Sequence, residues 1–312
     1  MDLSDRRPVV VDVADPDHLD AALRYAAAEA ATHACGIRLV RGTGTPTSDG
    51  IPRAAADPDH RAREVLQRAV ECARLVVGER TPVTSELFHG PAASAVSATS
   101  RHARLVVLQR GDYAAPCARA GRPACDELAV RSHAPVAVVP DLWTGGTPPG
   151  SLVTLGLDAP RRRPELVREA VALAQARRAV LRVVHAWWSP LFRSDLRVNS
   201  DRADHWEAAA GEVLAAALAT LPEDPRISVE LQVVHGRPAE VLAAASRSSC
   251  LLVVGRGWQE QPRVGLTAGP VAATLAYDAS CPVVLVPTGL EVPGAPAAPA
   301  AARRLRRAGQ PA

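Results

Sequence analysis

The chain has 312 residues, enough for two domains of ordinary size, and 47% of them are hydrophobic, so a sizeable core is within reach. Only 3% are aromatic, which leaves that core to Val, Leu and Ala, and a formal charge of +3 is too small to argue for nucleic-acid binding across the whole surface. The sequence contains no lysine, which excludes P-loop, Schiff-base and kinase-type chemistry that depends on one.

Six cysteines (Cys35, Cys72, Cys117, Cys125, Cys250 and Cys281) show neither CxxC spacing nor a disulfide framework, and read as reduced thiols of a cytoplasmic protein. The opening MDLSDRRPVVVDV lacks a signal-peptide core, and no apolar run reaches membrane-spanning length. The expectation is therefore a chain without membrane or nucleic-acid partners.

In chain order, Val9 to Val13 reads as a buried strand, VVVDV, and the alanine-rich stretch from His18 to about His33 as an amphipathic helix. Ile37 to Val40 is a second strand, and the Gly/Pro/Thr-rich piece from Arg41 to Pro58 a loop. Residues 60 to 77 carry a helical pattern whose end, Leu75-Val76-Val77, fits helix or strand. Val83 to Phe88 is a strand, followed by His89-Gly90-Pro91 and a small-residue helix to about Arg101. Leu105 to Leu108, a helix near Cys125 to Ser132, and the strand within Pro135 to Pro140 complete the first half.

The same order then recurs. Leu152 to Leu157 is a strand, Glu165 to Arg178 a helix, and Val180 to His185 a strand. A loop with Trp187 and Trp188 leads to a predicted helix from about Asp201 to Leu221, then to a strand from Ile227 to Val234 and a helix from Pro238 to about Arg247. Leu251 to Val254 is a buried strand ending in Gly255-Arg256-Gly257. After a polar loop, Gly269-Pro270 opens a helix to about Asp278, because proline at a first helical turn gives up an N–H that has no partner there. Val283 to Val286 closes a strand–helix–strand unit, which implies a parallel sheet. His89-Gly90 and His235-Gly236 stand 146 residues apart, as do Arg110-Gly111 and Arg256-Gly257, while Pro140 and Pro287 stand 147 apart. An almost constant offset of that size predicts a duplicated domain rather than a solenoid. The predicted layout is residues 1–142 and 151–287, a linker at 143–150 expected to be mobile, and a Pro/Ala/Arg-rich tail at 288–312 expected to be disordered.

Two halves that each end in a glycine-bounded loop, a small-residue helix start and a PVxVVP-type strand resemble the universal stress protein family, with VVHAW, VVHGRPAEVL, LLVVGRG and SCPVVLVP as the best local motifs. The resemblance implies an α/β fold of two tandem five-stranded parallel sheets flanked by helices, Rossmann-like, packed as a pseudo-dimer within one chain. Many members of that family bind ATP and others do not. The family's pattern is an Asp after the first strand, then a glycine loop, then Gly-Ser or Gly-Thr at a helix start. Glycines let backbone N–H groups approach phosphates, and the helix start adds positive potential.

In the second half Gly156, Asp158, Gly255, Arg256, Gly257 and Gly269 match parts of this pattern, and Asp158 takes the place that usually contacts the adenine side. Trp258 departs from the usual small glycine, and Pro270 supplies neither hydroxyl nor N–H. In the first half Ala14 falls where the Asp belongs, Leu108 replaces the loop's first glycine, and Gly121-Arg122 replaces Gly-Ser, so that site reads as lost.

The expected function is that of a stress-response binding protein without catalytic turnover, with a weakened ATP site in the second half alone. The alternative is a protein-interaction scaffold with no nucleotide, working through an unidentified protein partner or as a homodimer. A slow ATP hydrolase of the adenine nucleotide α-hydrolase type comes third, since neither VVVDVADPD nor LGLDAPRRR supplies its Ser-Gly-Gly-x-Asp-Ser loop. Arg256 and Arg263 could neutralise phosphate, though solvation suits an arginine-rich surface better. His185 and His235 end strands at one sheet edge without a third metal ligand, and read as structural histidines.

Overall fold

The computed structural model describes residues 7–15, 18–43, 58–78, 81–110, 125–148, 150–157, 164–188, 212, 227–257, 259–261 and 265–288. In chain order its elements are β1 (Val9–Asp12), α1 (Asp20–His33), β2 (Ile37–Gly42), α2 (Pro58–Val77), β3 (Val83–Phe88), α3 (Ala92–Ser100), β4 (Leu105–Gln109), α4 (Cys125–Arg131) and β5 (Val136–Val139). There follow β6 (Leu152–Gly156), α5 (Pro164–Ala176), β7 (Val180–Trp187), β8 (Val229–His235), α6 (Pro238–Ser246), β9 (Leu251–Gly255), β10 (Gln259–Gln261), β11 (Gly265–Thr267), α7 (Pro270–Asp278) and β12 (Val283–Val286). The chain divides into two compact units: Met1–Gly146 with Arg256–Pro287, and Thr147–Gly255 with Thr288–Ala312.

In the first unit β1 pairs in parallel with β2 and β4, β2 with β3, and β4 with β5, giving the order β3-β2-β1-β4-β5. All four residues of β1 and of β5 are buried, as expected of strands covered on both faces. The crossovers place helices on either face: α1 packs with α2, and α3 with α4. Each fully buried Val or Leu in this run contributes about 1.5–3 kcal/mol relative to exposure. One pair is antiparallel and was not foreseen from the sequence. β12 joins β5 antiparallel, with Val283 opposite Val138 and Leu285 opposite Val136. Its residues are buried throughout, so a continuous apolar strand serves either direction, and the sequence carries no signal of orientation.

The end of α2 resolves a point left open by sequence: Leu75 to Val77 are helical, with Leu75 86% exposed. The polar stretch after Gly257, expected to be a loop, carries the small antiparallel ribbon β10–β11. Trp143, at the start of the expected linker, stacks edge-on against the buried Tyr25 of α1 with ring centroids 5.5 Å apart. The predicted helix at 201–221 and the tail from 289 lie outside the described residues, Glu212 excepted.

The second unit is built the same way, with β6 parallel to both β9 and β7, and β7 parallel to β8. α5 and α6 both pack on β6, β7 and β9. The segment Arg256–Pro287, which sequence order assigns to the second half, packs in the first unit.

Candidate functional site

Parallel sheets bind ligands at the carboxyl ends of their strands. In the second unit that position is marked by Gly156 at the end of β6 and Gly255 at the end of β9. A Cβ on Gly156 would stand 2.7 Å from Cδ1 of Leu242 and 3.0 Å from Cγ1 of Val254. The glycine therefore lets α6 close onto the sheet, a packing role that needs no ligand. The strand exit is tied down as well. The Leu157 N–H donates to Val184 O at 3.0 Å, and His185 Nδ1 lies 3.1 Å from Leu157 O, the geometry of a donating ring N–H. Asp158 lies outside the described residues, as do Trp258 and Arg263.

Next to this exit the last residues of β7 and β8 meet. Trp187 and His235 are paired across the two strands, with ring centroids 4.4 Å apart. The Arg237 guanidinium stands 5.2 Å from the centroid of Trp188, a cation–π contact at a half-exposed ring. His185 and His235 thus have structural neighbours, and no group of His, Cys, Asp and Glu among the described residues could hold a metal ion.

Arg256, Gly257 and Gly269 come together in the first unit. Gly257 adopts φ +57°, the left-handed region where glycine is at ease, and a Cβ there would sit 3.5 Å from Gly269 Cα. Gly269 is the N-cap of α7, with Pro270 in its first turn, as expected from sequence. Two backbone donors of this turn are already engaged. The Arg256 N–H donates to Val286 O at 2.8 Å, and the Gly269 N–H donates to Arg256 O at 3.1 Å. Arg256 Nη1 donates to Ala129 O and Ser132 O, each at 2.6 Å, at the carboxyl end of α4. Burial pushes the Arg256 pKa below its ordinary value. Arg256, a candidate phosphate neutraliser by sequence, is here a helix-end anchor. The arginine and two amides of this turn are thus committed, and Pro270 has no N–H to add.

In the first unit, the corresponding strand ends are filled by side chains that sequence reasoning passed over. Gln109, the last residue of β4, accepts from the Ala22 N–H of α1 at 3.0 Å and donates from Nε2 to Asp141 Oδ1 at 2.7 Å. Leu19, the N-cap of α1, makes no side-chain cap hydrogen bond, so Gln109 caps that helix from a distance. Arg41 Nη1 donates to Val13 O and Ala14 O at 2.7 and 2.9 Å, holding the exit of β1. Arg110 repeats the behaviour of Arg256, donating from Nη1 to Tyr277 O and Ala279 O at 2.6 Å. Its one sequence signal was the constant offset between the two arginines.

Among the described residues no helix is long and apolar enough to cross a membrane. Residues 152–287 match the family model described as the universal stress protein family. The universal stress protein Rv1996 of Mycobacterium tuberculosis (strain ATCC 25618 / H37Rv) is 28% identical over 228 residues, covering 72% of this chain and 70% of that protein. The universal stress protein Mb2019 of Mycobacterium bovis matches to the same extent. Among solved structures, a universal stress protein from Archaeoglobus fulgidus superposes with a TM-score of 0.59 at 13% identity, covering 92% of this chain and 99% of that one. A second, described as a putative universal stress protein from Pseudomonas aeruginosa, gives 0.56 at 16% identity over 92% and 95%. The α/β architecture is common to them. Residues 152–287 thus match the universal stress protein family model, and over 72% of its length the chain is similar to proteins of that name.

Proposed function

We propose that this UspA-like chain is a cytoplasmic protein that works by binding a protein partner, without catalytic turnover and without holding ATP at its glycine turn. The observation that carries this reading is the commitment of Arg256: its guanidinium bonds two helix-end carbonyls, while its own N–H and that of Gly269 are spent on neighbouring backbone. A phosphate arriving there would compete for an arginine already bonded to two carbonyls, and displacing it would cost Ala129 O and Ser132 O their charged donor. The missing lysine and the absence of a nucleophile loop argue in the same direction on turnover.

A weakened ATP site involving Asp158 is the second reading. It is favoured by the left-handed turn at Gly257, which brings bare backbone against the start of α7. Thermal unfolding with and without millimolar Mg-ATP separates the two. A ligand present at a hundred times its Kd stabilises by about 2.7 kcal/mol, so occupancy is readily seen. The first reading expects an unmoved midpoint. A saturable rise that Asp158→Ala abolishes would overturn it in favour of the second.

A further inference from the structure

We propose that Arg110 and Arg256 make the segment Arg256–Pro287 a latch closed on α4 and β5 of the first unit, so that the two sides lose protection together when it opens. The ties are reciprocal. Arg110, just past β4, reaches into the segment and holds Tyr277 O and Ala279 O at the end of α7. Arg256, at the start of the segment, reaches out and holds Ala129 O and Ser132 O at the end of α4. The last carbonyls of a helix lack their usual i+4 donor, and a cation suits the negative end of the helix dipole, so each arginine gives two helix-end carbonyls a charged donor; Ala129 O also accepts the Ser132 N–H at 3.2 Å. Between the two clamps β5 and β12 pair antiparallel, and α4 packs against α7.

Three contacts thus join the same two pieces of chain, and none of them is independent of the others. If the strand pair parts, both clamps lose their geometry. If one clamp goes, the carbonyls at a packed helix end lose their charged donor, a penalty paid only while the segment stays docked. Sub-global opening of this kind proceeds in contiguous cooperative bodies. The closed latch also covers the edge of β5, a fully buried VAVV strand that would be an aggregation template if bared.

Hydrogen exchange of the full chain, read by mass spectrometry at low denaturant, tests this. In the wild type, residues 129–139 and 271–286 are expected to exchange together, ahead of 153–155 and 181–184. Arg256→Met and Arg110→Met should each raise exchange in both stretches by roughly tenfold or more, including the stretch that the replaced arginine does not bond, and leave 181–184 unchanged. Arg256→Lys keeps the charge without the fork and should fall between. Different rates for the two stretches in the wild type, or exchange of both only together with 181–184, would overturn the proposal. Should either Met variant fail to fold, the wild-type comparison decides by itself.

Discussion

Gly156 lies beneath Leu242 so closely that a Cβ would stand 2.7 Å from one of the leucine's methyl carbons and 3.1 Å from the other. The glycine in the second half's strand-exit motif is accordingly explained by the seating of α6. Gly156→Ala is expected to destabilise the chain by about 1–3 kcal/mol, the usual cost of overpacking a filled core. The leucine tip can shift, so the lower end is the better expectation. Denaturant unfolding measures it, and Leu242→Ala provides the check. If packing is the cause, Gly156→Ala costs less in the Leu242→Ala background, and the cycle shows a coupling of about 0.5 kcal/mol or more. Additive effects would assign the glycine another role.

Gln109 links two elements and tolerates little change. Gln109→Leu removes the acceptor for Ala22 N–H and the donor to Asp141, and is expected to cost about 1–2 kcal/mol, the scale of a lost cap plus an unpaired polar group. Gln109→Glu keeps the acceptor but sets a second carboxylate against Asp141, where a donor stood at 2.7 Å. Its loss should exceed that of Gln109→Leu near pH 7 and shrink as the pH falls through the carboxylate range, because protonating either acid restores a donor. Thermal midpoints of both variants between pH 4 and pH 7 decide the matter, and parallel curves would contradict this role.

The strands were legible because burial on both faces writes itself as unbroken apolar runs: Val9–Val11, Val106–Leu108 and Leu251–Val254 all lie where their composition puts them. The start of α7 was legible for a local reason, the Gly269-Pro270 pair. The antiparallel pairing of β12 with β5 was not, since VVLV pairs equally well either way and that partner, Val136–Val139, lies far back in the chain. The roles of Arg41, Gln109, Arg110 and Arg256 were hidden for a related reason. Each bonds backbone carbonyls or amides of distant segments, and a carbonyl has no sequence signature. Arginine and glutamine at the end of a strand read as solvated until the fold supplies their partners.

At the turn into α7, two glycines are expected to behave differently. Gly257 holds φ +57°, so Gly257→Ala should cost about 1–2 kcal/mol for a left-handed non-glycine residue, and Gly257→Asn less. Gly269 lies at φ −58°, and its nearest neighbour to an added Cβ is Arg256 O at an ordinary 3.5 Å. Gly269→Ala should therefore be mild. Unfolding midpoints of the three variants, measured side by side, check the order; a Gly269→Ala loss as large as that of Gly257→Ala would contradict it.

Cys250, at the mouth of β9, has its thiol pKa raised, chiefly by burial, against the smaller lowering effects of Arg177, its own backbone and Ser151. A raised pKa in the folded state means that folding favours the protonated thiol. That contribution is whole below the unfolded thiol's ordinary value, about 8.5, and is lost as the pH climbs through the folded value above it. Since only the thiolate attacks, alkylation of Cys250 by iodoacetamide should be slow at pH 7.5 and rise steeply only above pH 9. The partly exposed Cys72 on α2 provides an internal comparison in the same digest. Prompt labelling of Cys250 at pH 7.5 in folded protein would contradict the burial argument. A Cys250→Ser variant whose stability falls above pH 9 as steeply as the wild type's would detach that fall from this thiol.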